Sequence, residues 1–125
     1  MKTLLLEPTE DSPLVKLDPA KGHMLITGRS YMVDASTYLK AMTDWFRNYM
    51  VNPQPRNIIE LEFEYLNSSS HSMLIYLLEE INKYHIMGHN FEVIWRYHED
   101  DEYLQDIGQE LQESFDLPIV EQVLV

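Results

Sequence analysis

Within the stretch Asn57 to Leu66, apolar and polar side chains alternate without a break from Ile59 to Tyr65. Ile59, Leu61, Phe63 and Tyr65 fall on one side, and Glu60, Glu62 and Glu64 on the other. A period of two predicts a strand with one face in a core and the other in water. Phe91 to His98 repeats the pattern, setting Phe91, Val93, Trp95 and Tyr97 against Glu92, Ile94, Arg96 and His98. Strands buried on both faces read as unbroken apolar runs. These do not, so helices are expected mainly on one face of the sheet and solvent on the other. With the two strands as neighbours, Arg96 is expected across from Glu62 or Glu64.

A helical period takes over between and after these strands. Ser69 to Tyr84 places Leu74, Leu77, Leu78 and Ile81 on one stripe, with Asn67 or Ser68 as the cap and Gly88 closing the connection. Tyr38, Met42, Trp45 and Tyr49, widened by Leu39 and Phe46, predict an earlier helix running to about Asn48 and capped by Asp34 or Ser36. Asn52-Pro53-Gln54-Pro55 ends it. A third helix, Glu102 to Phe115, turns Leu104, Ile107 and Leu111 inward, and Pro118 leads into a last strand from Ile119 to Leu124. At the N-terminus Thr3 to Leu6 reads as a short edge strand. Leu14 to Leu17 and His23 to Thr27 then form a hairpin around Asp18-Pro19-Ala20-Lys21-Gly22, with Gly28 closing it. After Pro55 the order is strand, helix, strand, helix, strand, which makes those strands parallel. The expected fold is α/β: a mixed, mostly parallel sheet with an N-terminal antiparallel hairpin, in a single domain spanning residues 1–125.

Composition narrows the function. A formal charge of −12 excludes the usual nucleic-acid and anionic-membrane binders, which reward Lys and Arg. No cysteine is present, which removes disulfides, thiolate metal sites and thiol nucleophiles. The apolar run Leu4 to Leu6 is too short for a secretory segment, so a cytoplasmic protein is expected.

Chemistry-bearing clusters are few. Glu99-Asp100-Asp101-Glu102 opens a helix, where negative charge is favoured, and lacks the ligand spacing and Gly of a calcium loop. The row Glu60, Glu62 and Glu64 has the residue type for paired acid/base work, but a solvated strand face accounts for it. His85 and His89 have metal-ligand spacing only on a helix that runs through Gly88. Neither a metal, a cofactor nor a catalytic constellation is expected, and the protein reads as a non-enzyme. What stands out is Asn67-Ser68-Ser69-Ser70 at the hand-over from strand to helix. One hydroxyl is enough for a cap. Phosphate on a serine here would add close to two negative charges, about −1.5 to −2, at a helix end that tolerates them.

The run Tyr65-Leu66-Asn67-Ser68-Ser69-Ser70, followed at once by an apolar helix, resembles the YLNTSS segment of the SiaC family of bacterial regulatory phosphoproteins. Glu10-Asp11-Ser12-Pro13, Asp18-Pro19 with Gly22, Gly28-Arg29-Ser30, Asp44-Trp45 and Trp95-Arg96-Tyr97 fit the same family in collinear order, from about Leu6 to Glu121. That resemblance implies a STAS-like architecture and a partner-switching cycle. A serine/threonine kinase phosphorylates the turn, a metal-dependent phosphatase reverses it, and the unphosphorylated form binds and activates a diguanylate cyclase, tying the cycle to cyclic-di-GMP and biofilm behaviour. The family's phosphoacceptor threonine falls on Ser68, with Ser69 and Ser70 as alternatives. Asn67 and Ser70 stand where anti-sigma-factor antagonists carry Asp and Gly, which favours the cyclase pathway over a sigma-factor one. Partner contacts are expected from Asn67, Ser69, Ser70, His71, Ser72 and Tyr76. The alternatives are an antagonist-type regulator and a constitutive interaction scaffold.

Overall fold

A computed structural model describes all residues from Met1 to Val125. Its strands are β1 (Leu4–Leu6), β2 (Leu14–Asp18), β3 (His23–Ser30), β4 (Asn57–Leu66), β5 (Phe91–His98) and β6 (Ile119–Leu124). Its helices are α1 (Ser36–Tyr49), α2 (Ser68–Ile86) and α3 (Glu102–Ser114). The strands form one sheet in sequence order, β1-β2-β3-β4-β5-β6. β1/β2 and β2/β3 are antiparallel; β3/β4, β4/β5 and β5/β6 are parallel. Three successive crossovers step across the sheet in the same direction, and right-handed crossovers then deliver all three helices to the same face. The core lies between that face and the helices, where Met24, Ile26, Leu61 and Trp95 meet Met42, Phe46, Leu74, Leu77, Leu78 and Leu111. Burying five apolar side chains of α2 (Met73, Leu74, Leu77, Leu78 and Ile81), at about 2 kcal/mol each, anchors that helix far more strongly than its serine-rich end does.

Four local readings change. Gly28 does not end β3; the strand continues to Ser30 through a register shift in which Gly28 (φ +118°) pairs with Phe63 and Arg29 with Tyr65. Glu64 is the extra residue of this bulge, so Glu64 and Tyr65 both turn outward and Leu66 takes the next core position. Tyr65 is therefore 42% exposed, against the strict alternation of the sequence. α1 has no side-chain cap: Ala35 occupies that position, and Asp34 instead accepts the N–H of Ser36 at 2.9 Å. Arg96 does stand opposite Glu62 in register, yet its guanidinium reaches diagonally to Glu60 at 2.5 Å, while Glu64 pairs with Arg29 at 2.9 Å. α2 also begins at Ser68 and runs on to Ile86, longer by one residue at its start and two at its end than its apolar stripe indicates.

Candidate functional site: the turn between β4 and α2

Because β3, β4 and β5 are parallel, they end together on one rim of the sheet, at Ser30, Leu66 and His98. The turn from β4 into α2 sits in the middle of this rim and consists of Asn67 alone. Asn67 is extended, and its Oδ1 accepts the N–H of Ser70 at 2.9 Å. Its own N–H donates to the Ser30 carbonyl at 3.1 Å, and its Nδ2 donates to the Met32 carbonyl at 2.9 Å. Of the two candidate caps, Asn67 is the one used. That choice frees Ser68 from structural duty.

The three serines have different surroundings. Ser70 is fully buried, its hydroxyl bonded to that of Ser30. Ser69 is half-buried, and its Oγ accepts the N–H of Ala35 at 3.2 Å, joining the starts of α1 and α2. Ser68, the first residue of α2, is exposed, and its hydroxyl makes no bond within the protein. The amides of Ser68 and Ser69 belong to the first helical turn, which has no intrahelical partners, so this end of α2 presents positive charge beside the free hydroxyl.

The other residues expected at the surface divide between two sides of α2. Ser72 and Tyr76 are exposed and join Ser69, Asp34, Ser36 and Leu39 along a groove of about 310 Å³ between α1 and α2. His71 faces the opposite way, toward α3, with Nε2 buried, without a hydrogen-bond partner, and 3.6 Å from Glu110 Oε1. The exposed half of the expected surface is therefore the α1 side.

Around Ser68 the rim carries features with no signal in the linear pattern. Tyr31 stacks on the outward Tyr65, with ring centroids 4.4 Å apart and planes 15° apart. Tyr103, from the first turn of α3, donates its hydroxyl to the Leu66 carbonyl at 3.2 Å. Burial pushes the Tyr103 phenol up, with further contributions from Tyr65, Glu110 and Asp101. Arg29, at the end of β3, is bonded to Glu64, and that bond raises its pKa. A stacked pair formed across two strands becomes visible only once β3 and β4 are known to be neighbours with a bulge between them.

No three His, Asp or Glu side chains converge as metal ligands. α2 stops at Ile86 and Gly88 takes φ +104°, so His85 and His89 do not share a helix face. The row of glutamates lies on the helix-free face, where Glu60 is held by Arg96 and His23 and Glu64 by Arg29. No helix is long and apolar enough to cross a membrane.

A family model described as SiaC family regulatory phosphoprotein matches residues 6–123. The chain belongs to the SiaC family. An uncharacterized protein of Pseudomonas aeruginosa is 23% identical over 118 residues, covering 94% of both chains. The crystal structure of apo-SiaC from Pseudomonas aeruginosa superposes with a TM-score of 0.90 at 22% identity, over 98% of this chain and 99% of that one. SiaC in its crystal complex with the diguanylate cyclase SiaD, of which it is the activator, superposes with a TM-score of 0.89 at 22% identity, over 97% of this chain and 99% of that one. The mixed sheet with an N-terminal hairpin and helices on one face is thus the architecture of known SiaC proteins.

Proposed function

We infer that this SiaC family member is a cytoplasmic, non-catalytic activator of a diguanylate cyclase, switched off by phosphorylation at Ser68. A serine/threonine kinase adds the phosphate and a metal-dependent phosphatase removes it. Membership of a regulatory phosphoprotein family and the Pseudomonas SiaC–SiaD complex support the partner class. One observation carries the site: among three adjacent serines, Ser68 alone offers an exposed hydroxyl that the fold does not use.

The physical logic is a surface switch with little structural cost. A phosphate on Ser68 meets the positive end of α2, an interaction worth about 0.3–1 kcal/mol at an exposed helix terminus. The fold accepts it. No lysine or free arginine of the rim is placed to fold the phosphate back onto the surface, since Arg29 is already bonded to Glu64. The dianion stays outward, where a docking partner must strip its water. Desolvation of an unpaired charge costs several kcal/mol, and about 4 kcal/mol already corresponds to roughly a thousandfold in affinity.

Phosphopeptide mass spectrometry on protein from its native cells tests this reading, because the tryptic peptide Asn57 to Lys83 carries all three serines. The expected result is phosphate on Ser68, with loss of cyclase activation in the phosphorylated form and constitutive activation by Ser68→Ala. Phosphate on Ser69 or Ser70 moves the site. An unmodified peptide together with phosphate-independent binding makes the protein a constitutive scaffold.

A further inference from the structure

The bulge in β4 has a consequence that regulation by phosphate does not require. It takes Tyr65 out of the core, where alternation places it, and stands it in solvent against Tyr31. β-Bulges recur where a side chain must be re-aimed near a functional surface. Tyr103, 49% exposed, adds a third ring from α3. Val33, 95% exposed, adds an aliphatic tip from the loop that Asn67 and Ser69 hold through Met32 and Ala35. α2 is the middle helix, so Ser68 lies between the Val33 loop on the α1 side and Tyr103 on the α3 side. Single exposed apolar residues are ordinary on a protein surface. Four brought by three separate segments to the rim that carries the Ser68 turn form a patch, and tyrosine is the residue type enriched where partners anchor.

The charge around this patch has one sign. Asp11, whose carbonyl accepts the Tyr31 N–H at 2.8 Å, lies on the rim with Asp34, Glu64, Asp100, Asp101 and Glu102. Arg29 is the rim's one Lys or Arg, and Glu64 neutralises it at 2.9 Å. We propose that Tyr31, Tyr65, Tyr103 and Val33 form the anchor site for a segment of the cyclase that presents apolar side chains flanked by lysine or arginine. This rests on the cyclase-activation reading and names the chemistry of the contact. The apolar side chains cover the tyrosines and Ser68, while the flanking cations face Asp34 on one side and Asp101 on the other. Phosphate on Ser68 then sits beneath the apolar anchor, where its hydration shell and the anchor compete for the same space. The flanking cations lie at the periphery, where salt screens their attraction to the phosphate. Desolvation wins, and the acidic rim does not rescue the phosphorylated form.

The test is calorimetric titration of the same organism's purified diguanylate cyclase into the full-length, unphosphorylated protein. Tyr65→Ala and Val33→Asp are each expected to weaken binding by about tenfold or more, and added NaCl to weaken wild-type binding progressively. Val33 is 95% exposed, so its variant is expected to stay folded even where Tyr65→Ala is destabilised; thermal unfolding checks both. Leu5→Ala, exposed on edge strand β1, is the control expected to bind as wild type. Equal affinity of wild type, Tyr65→Ala and Val33→Asp overturns the anchor site and leaves cyclase activation standing. Binding that ignores salt overturns the cationic flanks. Absence of any binding by the wild-type protein overturns the cyclase reading itself, and the anchor site with it.

Discussion

Asn67 and Met32 are joined by a 2.9 Å hydrogen bond from the asparagine Nδ2 to the methionine carbonyl, so the residue that caps α2 also holds the loop leading into α1. Removing the side chain in Asn67→Ala forfeits both the cap and the loop bond. The expected destabilisation is about 2 kcal/mol. Asn67→Asp keeps an acceptor for Ser70 but loses the donor to Met32, and should fall about halfway. Urea unfolding midpoints at constant slope measure both, and equal stability of Asn67→Ala and wild type would sink the account of the turn.

The three serines should separate sharply under substitution by aspartate. Ser68→Asp adds a charge at an exposed helix start and is expected within about 0.5 kcal/mol of wild type, on the stabilising side. Ser70→Asp forces a carboxylate into a fully buried site against Ser30 and is expected to cost about 3–5 kcal/mol. Thermal melts of the two variants side by side decide the matter.

Ser30 and Ser70 also form a testable pair. Either alanine substitution alone strands one buried hydroxyl, at about 1–2 kcal/mol. Replacing both removes the stranded group, so the double variant should be more stable than the sum of the single losses implies. Strict additivity in a double-mutant cycle would mean that the two hydroxyls do not interact.

Glu60, held by Arg96 and His23 at 2.5 Å each, gives the fold a defined acid sensitivity. Burial pushes its carboxyl up, but the hydrogen bonds and charges of Arg96 and His23 together outweigh this and hold it below the usual range. A carboxyl with a lower pKa in the folded state binds fewer protons there than in the unfolded chain. Its contribution is therefore complete above the ordinary glutamate value, about 4.3, and disappears as pH falls through the folded value. Glu60→Gln should flatten the acid limb of stability against pH. Urea midpoints between about pH 6 and pH 3 provide the comparison.

Gly108 lies inside α3, where alanine ordinarily stabilises by about 1 kcal/mol. Here an added Cβ would come within 2.6 Å of the Trp95 ring and 2.9 Å of Glu121 Oε1. The Trp95 ring is fully buried, with its Nε1 bonded to the Leu104 carbonyl, and cannot move aside. Gly108→Ala should destabilise by about 1–3 kcal/mol, the opposite sign to helix propensity. A stabilised variant in a thermal melt would show that the ring yields.

The fold was legible wherever burial has a short period. Ile59, Leu61 and Phe63 announce β4, and Leu74, Leu77 and Leu78 announce α2, because each pattern repeats over residues that are neighbours in the chain. The reading failed where a tertiary relationship interrupts the period. Tyr65 continues the alternation in sequence, yet the extra residue at Glu64 reverses it, and only the pairing of Arg29 with Tyr65 shows why. Arg96 does stand opposite Glu62 as expected, but its long stem carries the guanidinium on to Glu60, while Gln122 takes its Nε on the other side. For the site, the family motif marked Ser68 to Ser70, but which hydroxyl stays free depended on Ser30 and Ala35, both far upstream. Tyr31, Val33 and Tyr103 carry no local signal at all. The connection after β3 and the first turn of α3 bring them to one rim.

Each strand of the sheet pairs only with its immediate neighbours in the chain. No pairing reaches beyond the next strand in the chain, so folding can proceed segment by segment as the polypeptide leaves the ribosome. β3, α1, β4 and α2, which together build the turn at Ser68, are consecutive, so this turn takes shape before α3 has been made. Tyr103 arrives last. Its bond to the Leu66 carbonyl forms only once β5 is in place, so the nascent chain presents the Ser68 hydroxyl before the tyrosine cluster is complete.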